Sequence, residues 1–206
     1  MKNPLHYQLS ECDCGPTALL NGLSYLFQRE EIPPEVIRNV MLYCLDCYND
    51  EGIPCKSGTS MAAMMFLSNW LNGFCKTGRL PVSSQYLSGR SVYIGPESYI
   101  NDALMRGGVA VVRLFYEEAH YVVLTGIEKD GIRMFDPYYE EEPFKEEGVQ
   151  LVLDQPFSHN RIVPACYFNQ ESLELYAFGP YEMREAVLLF NNETMITPEK
   201  SIEYFI

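Results

Sequence analysis

Residues 119–137 read AHYVVLTGIEKDGIRMFDP and contain two apolar runs, one on each side of Lys129-Asp130-Gly131. Val, Ile and Phe are favoured in strands, and an Asp-Gly pair between two such runs is a strong hairpin signal. The pattern predicts two antiparallel strands joined by a tight turn. The preceding run GVAVVRLFY (108–116) predicts another strand, so the second half of the chain is expected to build an antiparallel sheet.

The first 75 residues carry helical patterns instead. Apolar residues at the spacing of one helix face follow Cys14, and two more segments, IPPEVIRNVMLYCLD (32–46) and MAAMMFLSNWLNGF (61–74), predict a second and a third helix. A late segment, GPYEMREAVLLF (179–190), also predicts a helix. Helices followed by an antiparallel sheet indicate a segregated α+β domain.

The composition and charge indicate which binding partners and which cellular compartment to expect. The chain has 206 residues, 47% of them hydrophobic, and a net charge of −13, which disfavours nucleic acid and anionic membranes as partners. The N-terminus lacks the apolar core of a secretory signal, and no apolar run approaches the ~20 residues that span a bilayer. Seven cysteines, an odd number, predict free thiols in a reducing compartment, so we expect a cytoplasmic protein without membrane insertion.

Cys14 stands in the sequence DCGP, where the first helix is expected to begin. Only the thiolate of cysteine is a strong nucleophile, and the free N–H groups at a helix N-terminus favour an anion. Gly15 permits a close approach of substrate backbone, and Pro16 needs no N–H in the first turn. The pattern predicts a nucleophilic cysteine, while the alternative is a small apolar side chain packed against the sheet.

A nucleophilic cysteine needs a base, and the chain offers three histidines. His6 lies in an extended lead-in and His159 in a polar turn, whereas His120 begins a strand that would hold it rigidly. Asp136 follows the neighbouring strand, where its carboxylate can orient an imidazole. The alternatives are a structural histidine and an Asp-Pro pair that merely ends a strand.

The register of the hairpin decides whether these two side chains meet. A two-residue turn pairs Ile127 with Ile132 and places Asp136 opposite Val123, about 10 Å along the strand from His120. A bulge or a longer turn would bring the carboxylate closer.

Gln8 is the candidate for stabilising an oxyanion. Acyl transfer needs hydrogen-bond donors aimed at the oxygen that becomes charged. The side-chain amide of Gln8, six residues before Cys14, and the backbone N–H of Cys14 can supply them. The alternative is a surface glutamine.

Taken together, these residues resemble one family. The pattern Q-x5-C-G with Asp before the cysteine, the run HYVVL, an Asp-Pro pair sixteen residues after His120, and GTSMAAMMFLSNWLNGF (58–74) look like the bacteriocin-processing cysteine peptidases. Those are papain-like domains that cut bacterial leader peptides after a double glycine, often at the N-terminus of an export transporter. The match covers about residues 5–140, and CGPTAL is closer to stand-alone relatives than to transporter-linked members.

The resemblance implies a papain-like α+β fold and a role for each site residue. Cys14 would be the nucleophile, His120 the general base and acid, Asp136 the orienting residue and Gln8 the oxyanion donor. Residues 1–140 would form the peptidase core, with 141–206 as a C-terminal extension packed on the same domain. The expected partner is a peptide or small-protein substrate, with no cofactor and no metal, and the oligomeric state stays open.

Three other functions remain open on the sequence. The first is an acyltransferase that uses the same triad, and the second is a non-catalytic peptide-binding domain with the same fold. The third is a metal or redox module, in which thiolates bind zinc. The candidate zinc ligands are Cys12, Cys14, Cys44, Cys47 and Cys55. A regulatory disulfide between Cys12 and Cys14 is a further hypothesis.

Overall fold

One seven-stranded antiparallel sheet organises the chain in the computed structural model, which describes residues 1–197. The strand order is β1-β7-β2-β3-β4-β6-β5. With the helices below, this sheet confirms the predicted α+β class. The strands are β1 Val82–Ser88, β2 Val109–Tyr116, β3 Glu118–Glu128, β4 Gly131–Phe135, β5 Gln150–Leu151, β6 Arg161–Val163 and β7 Glu185–Asn191.

The three N-terminal helices form where their patterns predicted them. The Ser60 hydroxyl caps the third by accepting a hydrogen bond from the Ala63 N–H at 3.1 Å. None of the helices in residues 1–197 has the length and apolar character needed to cross a bilayer. The helices are α1 Cys14–Leu26, α2 Pro34–Cys44, α3 Met61–Cys75, α4 Tyr99–Met105 and α5 Ala165–Phe168, with short 3-10 turns at Arg29–Glu31, Gly89–Ser91 and Tyr181–Met183.

Apolar cores cover both faces of the sheet. Because successive side chains of a strand point to opposite faces, one strand contributes to both cores. On β3, Tyr121 and Val123 pack in the core that α1, α2 and α3 cover. Val122 and Leu124 face the opposite core, which α4 and the C-terminal loops cover. The first two residues of β3, Glu118 and Ala119, are exposed, and the buried part of the strand begins at His120, which is therefore held by packing.

The hairpin of β3 and β4 resolves the question of register. Ile127 pairs with Ile132, as the tight turn predicted, but the register shifts between Leu124 and Gly126. This bulge places Phe135 opposite Val123, so the residue after Phe135 lies one step nearer to the start of β3 than in a regular hairpin.

The helix predicted over residues 179–190 is wrong. Tyr181–Met183 forms a 3-10 turn, and Glu185–Asn191 is a strand that pairs with β1 on one side and β2 on the other. All seven residues of β7 are buried, and a strand between two neighbours has every backbone hydrogen bond satisfied. Burial on both faces therefore overrides the helical preference of Glu, Ala and Leu here.

The segment after residue 140 is part of the same sheet. It supplies β5 and β6 beyond the hairpin and β7 near the other edge, within the residues that the structure describes. It also packs on the second core through Phe168 at the end of α5 and through Tyr176 and Phe178, which are fully buried. Residues 141–197 thus shape the surroundings of the hairpin.

Candidate active site

Three of the four predicted site residues line one cleft of about 290 Å³. Cys14 reaches it from the first turn of α1, His120 from the start of β3, and Gln8 from the extended lead-in. Asp136, the fourth, lies behind His120 and is fully buried. The structure therefore brings together residues that are up to 128 positions apart in the chain (from Gln8 to Asp136).

Cys14 is 7% exposed and also lines a second cleft of about 370 Å³, together with Thr59 and Arg113 among others. Gly15 is what allows the Thr59 loop to lie against α1. A Cβ on Gly15 would stand 2.7 Å from the Cβ of Thr59 and closer still to its hydroxyl. The close approach that Gly15 permits is therefore to Thr59 of the same chain.

His120 and Asp136 form a buried hydrogen-bonded pair. His120 Nε2 lies 2.7 Å from Asp136 Oδ1, so the other ring nitrogen, Nδ1, takes no part in this pair. Burial lowers the pKa of His120, but the charge and hydrogen bond of Asp136, with a smaller contribution from Cys14, outweigh it and raise that pKa to about 10. The imidazole is thus held in its charged form at neutral pH.

The same pair keeps Asp136 ionised. Burial alone would raise the pKa of this carboxyl, but His120 and then Arg161 lower it below its ordinary value. The carboxylate also accepts hydrogen bonds from the Tyr138 N–H at 2.8 Å and the Tyr176 hydroxyl at 3.2 Å. A buried carboxylate with three donors is a fixed acceptor for an imidazolium.

Three residues that the sequence reasoning missed hold Asp136 in place. Asn160 pairs with its backbone in both directions, accepting from the Asp136 N–H at 2.8 Å and donating to its carbonyl at 2.7 Å. Tyr176 donates to the carboxylate, and Arg161 supplies a buried positive charge. All three come from the segment after residue 140, for which the sequence patterns predicted no role in the site.

Arg161 is fully buried, and its guanidinium is tied to the backbone of this region. It donates to the carbonyls of Asn160 at 3.0 Å and Tyr138 at 3.2 Å, and it lies 5.1 Å from the centre of the Phe144 ring. A fixed cation of this kind offsets the cost of burying the neighbouring carboxylate.

Two hydrogen bonds hold Gln8 in place, one from its backbone and one from its side chain. Its backbone N–H donates to the Pro137 carbonyl at 2.9 Å, next to Asp136, and its side-chain amide donates to the Ser10 carbonyl at 2.8 Å. Because an amide nitrogen carries two N–H groups, one donor is left for a ligand in the cleft. Within residues 1–197, Gln8 Oε1 is a buried atom without a hydrogen-bond partner.

Asp13 shapes the loop between Gln8 and Cys14. Its buried carboxylate accepts from the backbone N–H of Leu9 at 3.0 Å and of Ser10 at 2.8 Å, and from the Ser10 hydroxyl at 2.9 Å. It makes no side-chain cap on α1 itself. The aspartate before the cysteine therefore fixes the position of the Gln8 loop, a role that its place in the motif did not reveal.

The remaining histidines lie elsewhere. His159 is buried, with Nδ1 3.0 Å from the Ser158 hydroxyl, and burial lowers its pKa. His6 pairs through its backbone with the Asn21 side chain, which ties the lead-in to α1. Neither of them lines the cleft that holds Cys14 and His120.

All seven cysteines are unpaired. Cys44 is buried at the end of α2, where burial raises its pKa, and the Cys12 thiol donates to the Lys56 carbonyl at 3.3 Å. Cys12 lines the cleft beyond Cys14 but is not bonded to it. No group of three or more His, Cys, Asp or Glu side chains within residues 1–197 is arranged to hold a metal ion.

Two comparisons with known proteins found no match. No family model matches the chain, and no curated protein is significantly similar to it in sequence.

Proposed function

We propose that this protein is a cysteine peptidase that hydrolyses a peptide bond through a Cys14 acyl-enzyme. The observation that carries the proposal is the meeting of Cys14, His120 and Gln8 in one cleft, with His120 bound to the buried Asp136 at 2.7 Å. A nucleophile next to a base, with a carboxylate that orients the base, is the arrangement of catalytic triads on many unrelated folds.

The first half of the reaction makes the acyl-enzyme. The Cys14 thiolate attacks the carbonyl carbon and forms a carbon–sulfur bond, while the Gln8 amide and the Cys14 N–H stabilise the oxyanion. The tetrahedral intermediate then collapses, the carbon–nitrogen bond breaks, and His120 gives its proton to the leaving amine.

The second half restores the enzyme. His120, now neutral, takes a proton from water as the water oxygen attacks the thioester carbon. The carbon–sulfur bond breaks, the acid product leaves, and the Cys14 thiolate and the His120 imidazolium are regenerated. Asp136 keeps the imidazole oriented through both halves and stays ionised.

The helix-and-sheet arrangement supports a papain-like fold for this enzyme. A nucleophile at the start of the first long helix, a histidine on a strand of an antiparallel sheet and an orienting carboxylate beside it agree with the resemblance to bacteriocin-processing peptidases. On that resemblance, the substrate is a peptide or small protein, with a leader peptide cut after a double glycine as the specific candidate.

The proposed location is the bacterial cytoplasm. Seven unpaired cysteines support it, because thiols stay reduced there.

The test is a cleavage profile on a peptide library that includes double-glycine sequences, read by mass spectrometry. We expect defined cleavage products with the native protein and none with Cys14→Ala, whose fold is checked by circular dichroism. Cys166→Ala is the matched control, since this exposed cysteine lies outside the cleft, and it should cleave normally. Equal products from native protein and Cys14→Ala would contradict the proposal.

The same experiment separates hydrolysis from acyl transfer. Adding glycinamide as an amine acceptor gives an acyl-glycinamide product if the acyl-enzyme transfers its group to amines. A product made only in the presence of the acceptor would assign an acyltransferase that uses the same triad, in place of the peptidase.

A further inference from the structure

A cleft of about 520 Å³ has aromatic walls and an acidic rim. Tyr116, Phe144 and Tyr167 contribute rings to its lining. Glu117, Glu146 and Glu174 contribute carboxylates, and all three are exposed at the surface. We call this feature the aromatic–acidic cleft.

The aromatic–acidic cleft adjoins the cleft that holds Cys14. Tyr116 and Glu117 line both clefts, so a peptide bound at Cys14 has the aromatic–acidic cleft within reach of a neighbouring side chain. Glu117 alone connects β2 to β3 and has a φ of +61°, a left-handed conformation that non-glycine residues rarely adopt. Strained backbone of this kind concentrates at ligand-binding sites.

The charged side chains that line the aromatic–acidic cleft are all negative. Its lining residues in the described part of the chain include three carboxylates and no Lys, Arg or His. The Arg161 guanidinium lies 5.1 Å from the centre of the Phe144 ring and donates hydrogen bonds to backbone carbonyls. Tyr116 adds a neutral wall, since burial, and then Glu140, raise its pKa to about 12.

We propose that the aromatic–acidic cleft binds a lysine or arginine side chain of the peptide that Cys14 attacks. The inference rests on the proposed peptidase function and specifies its substrate class. The long stem of a basic side chain packs on apolar walls while its charged head stays near solvent. Aromatic faces attract such a cation, and three carboxylates around the opening complement its charge.

Substrate selection tests the proposal. Peptides in which one position is lysine, norleucine or glutamate are scanned through the library sequence that the native protein cleaves best, and kcat/KM is measured. We expect lysine to exceed norleucine by about ten-fold at one position, and glutamate to be the poorest there. Raising the salt concentration should reduce the lysine advantage, because exposed charges are screened.

Substitutions assign the preference to this cleft. Glu174→Gln should lower kcat/KM for the lysine peptide by up to about five-fold, the range of one exposed charge pair, and leave the norleucine peptide unchanged. Leu173→Ser, which removes an exposed apolar part of the wall, should weaken both peptides. Glu97→Gln is the matched control, because Glu97 is exposed but lines neither cleft, and it should change nothing.

A binding measurement separates this inference from the proposed function. Calorimetry on Cys14→Ala with the lysine and norleucine peptides reads binding without turnover. Lysine-selective binding that Glu174→Gln weakens supports the aromatic–acidic cleft even if native protein cleaves nothing. Equal affinity for the two peptides, or a lysine preference that Glu174→Gln leaves intact, would overturn the inference even if cleavage depends on Cys14.

Discussion

Asp136→Asn is the substitution that isolates the electrostatic core of the site. It preserves the shape of a fully buried side chain but removes the charge that faces His120 at 2.7 Å. With the carboxylate gone, burial, which is already the largest single influence on the pKa of His120, is opposed only by the smaller effect of Cys14 and favours the neutral imidazole. The pKa of His120 should therefore fall from about 10 to 6.5 or below.

The size of this effect follows from the two pKa values. The gap between 6.5 and about 10 corresponds to roughly 5 kcal/mol of stabilisation of the imidazolium. At pH 7.5 nearly all of the native protein carries a charged His120, and no more than about one molecule in ten does so in the variant. Turnover should fall by up to about 10⁴, the loss known for removing the orienting carboxylate of a triad.

The assay is a long-range ¹H–¹⁵N NMR titration of the imidazole rings, which is simple because the chain has three histidines. Asp154→Asn is the matched control: Asp154 is exposed and its charge acts on His159, so this variant should leave His120 charged to about pH 10. If His120 still titrates near pH 10 in Asp136→Asn, the reasoning is refuted.

The pair also sets how stability depends on pH. His120, whose folded pKa is raised, contributes stability that is complete below pH 6.5 and lost as the pH rises to about 10. Asp136, whose folded pKa is lowered, contributes stability that is complete above its ordinary value of 3.8 and lost as the pH falls. Urea unfolding at a series of pH values should show both losses in native protein, and Asp136→Asn should flatten them.

Three further substitutions, the first with a control variant, test the surroundings of the site. Gly15→Ala forces a clash with Thr59 and should lower the free energy of unfolding by about 1 to 3 kcal/mol. The control is Gly73→Ala, which places its methyl group in open space inside α3 and should raise the free energy of unfolding by up to about 1 kcal/mol. Urea unfolding measures both changes. Tyr176→Phe deletes one donor to the buried carboxylate, so a loss of about 1 to 3 kcal/mol in unfolding free energy with reduced kcat is expected, and unchanged values would contradict its role. Gln8→Ala should lower kcat by about 10² to 10³ with little change in KM, and an altered KM alone would assign it to substrate binding instead.

Local patterns predicted the parts of the fold that local forces determine. The apolar stripes of α1, α2 and α3 and the Asp-Gly turn of the hairpin formed as expected. A bulge is one way to bring His120 and Asp136 together, but the presence of the bulge between Leu124 and Gly126 depends on packing between strands. A regular hairpin would have fitted the same residues.

The features that depend on distant contacts escaped prediction. The segment 185–191 became an inner strand because β1 and β2 lie on either side of it, and nothing local signals those neighbours. Tyr176 and Arg161 reach Asp136 from 40 and 25 residues away, so their roles appear only when the chain is folded. Positions of this kind are set by tertiary structure rather than by sequence pattern.

The central claim is that His120 activates Cys14. The most direct test is competitive alkylation of the seven cysteines by iodoacetamide at about pH 6, with the labelled positions mapped by mass spectrometry. By exposure alone, Cys55 and Cys166 should react before Cys14, which is 7% exposed. We predict the reverse: Cys14 reacts at least about ten-fold faster, since ordinary thiols are almost wholly protonated at that pH, and His120→Ala abolishes the advantage. Labelling that follows exposure, or a Cys14 rate that His120→Ala leaves unchanged, would contradict the account.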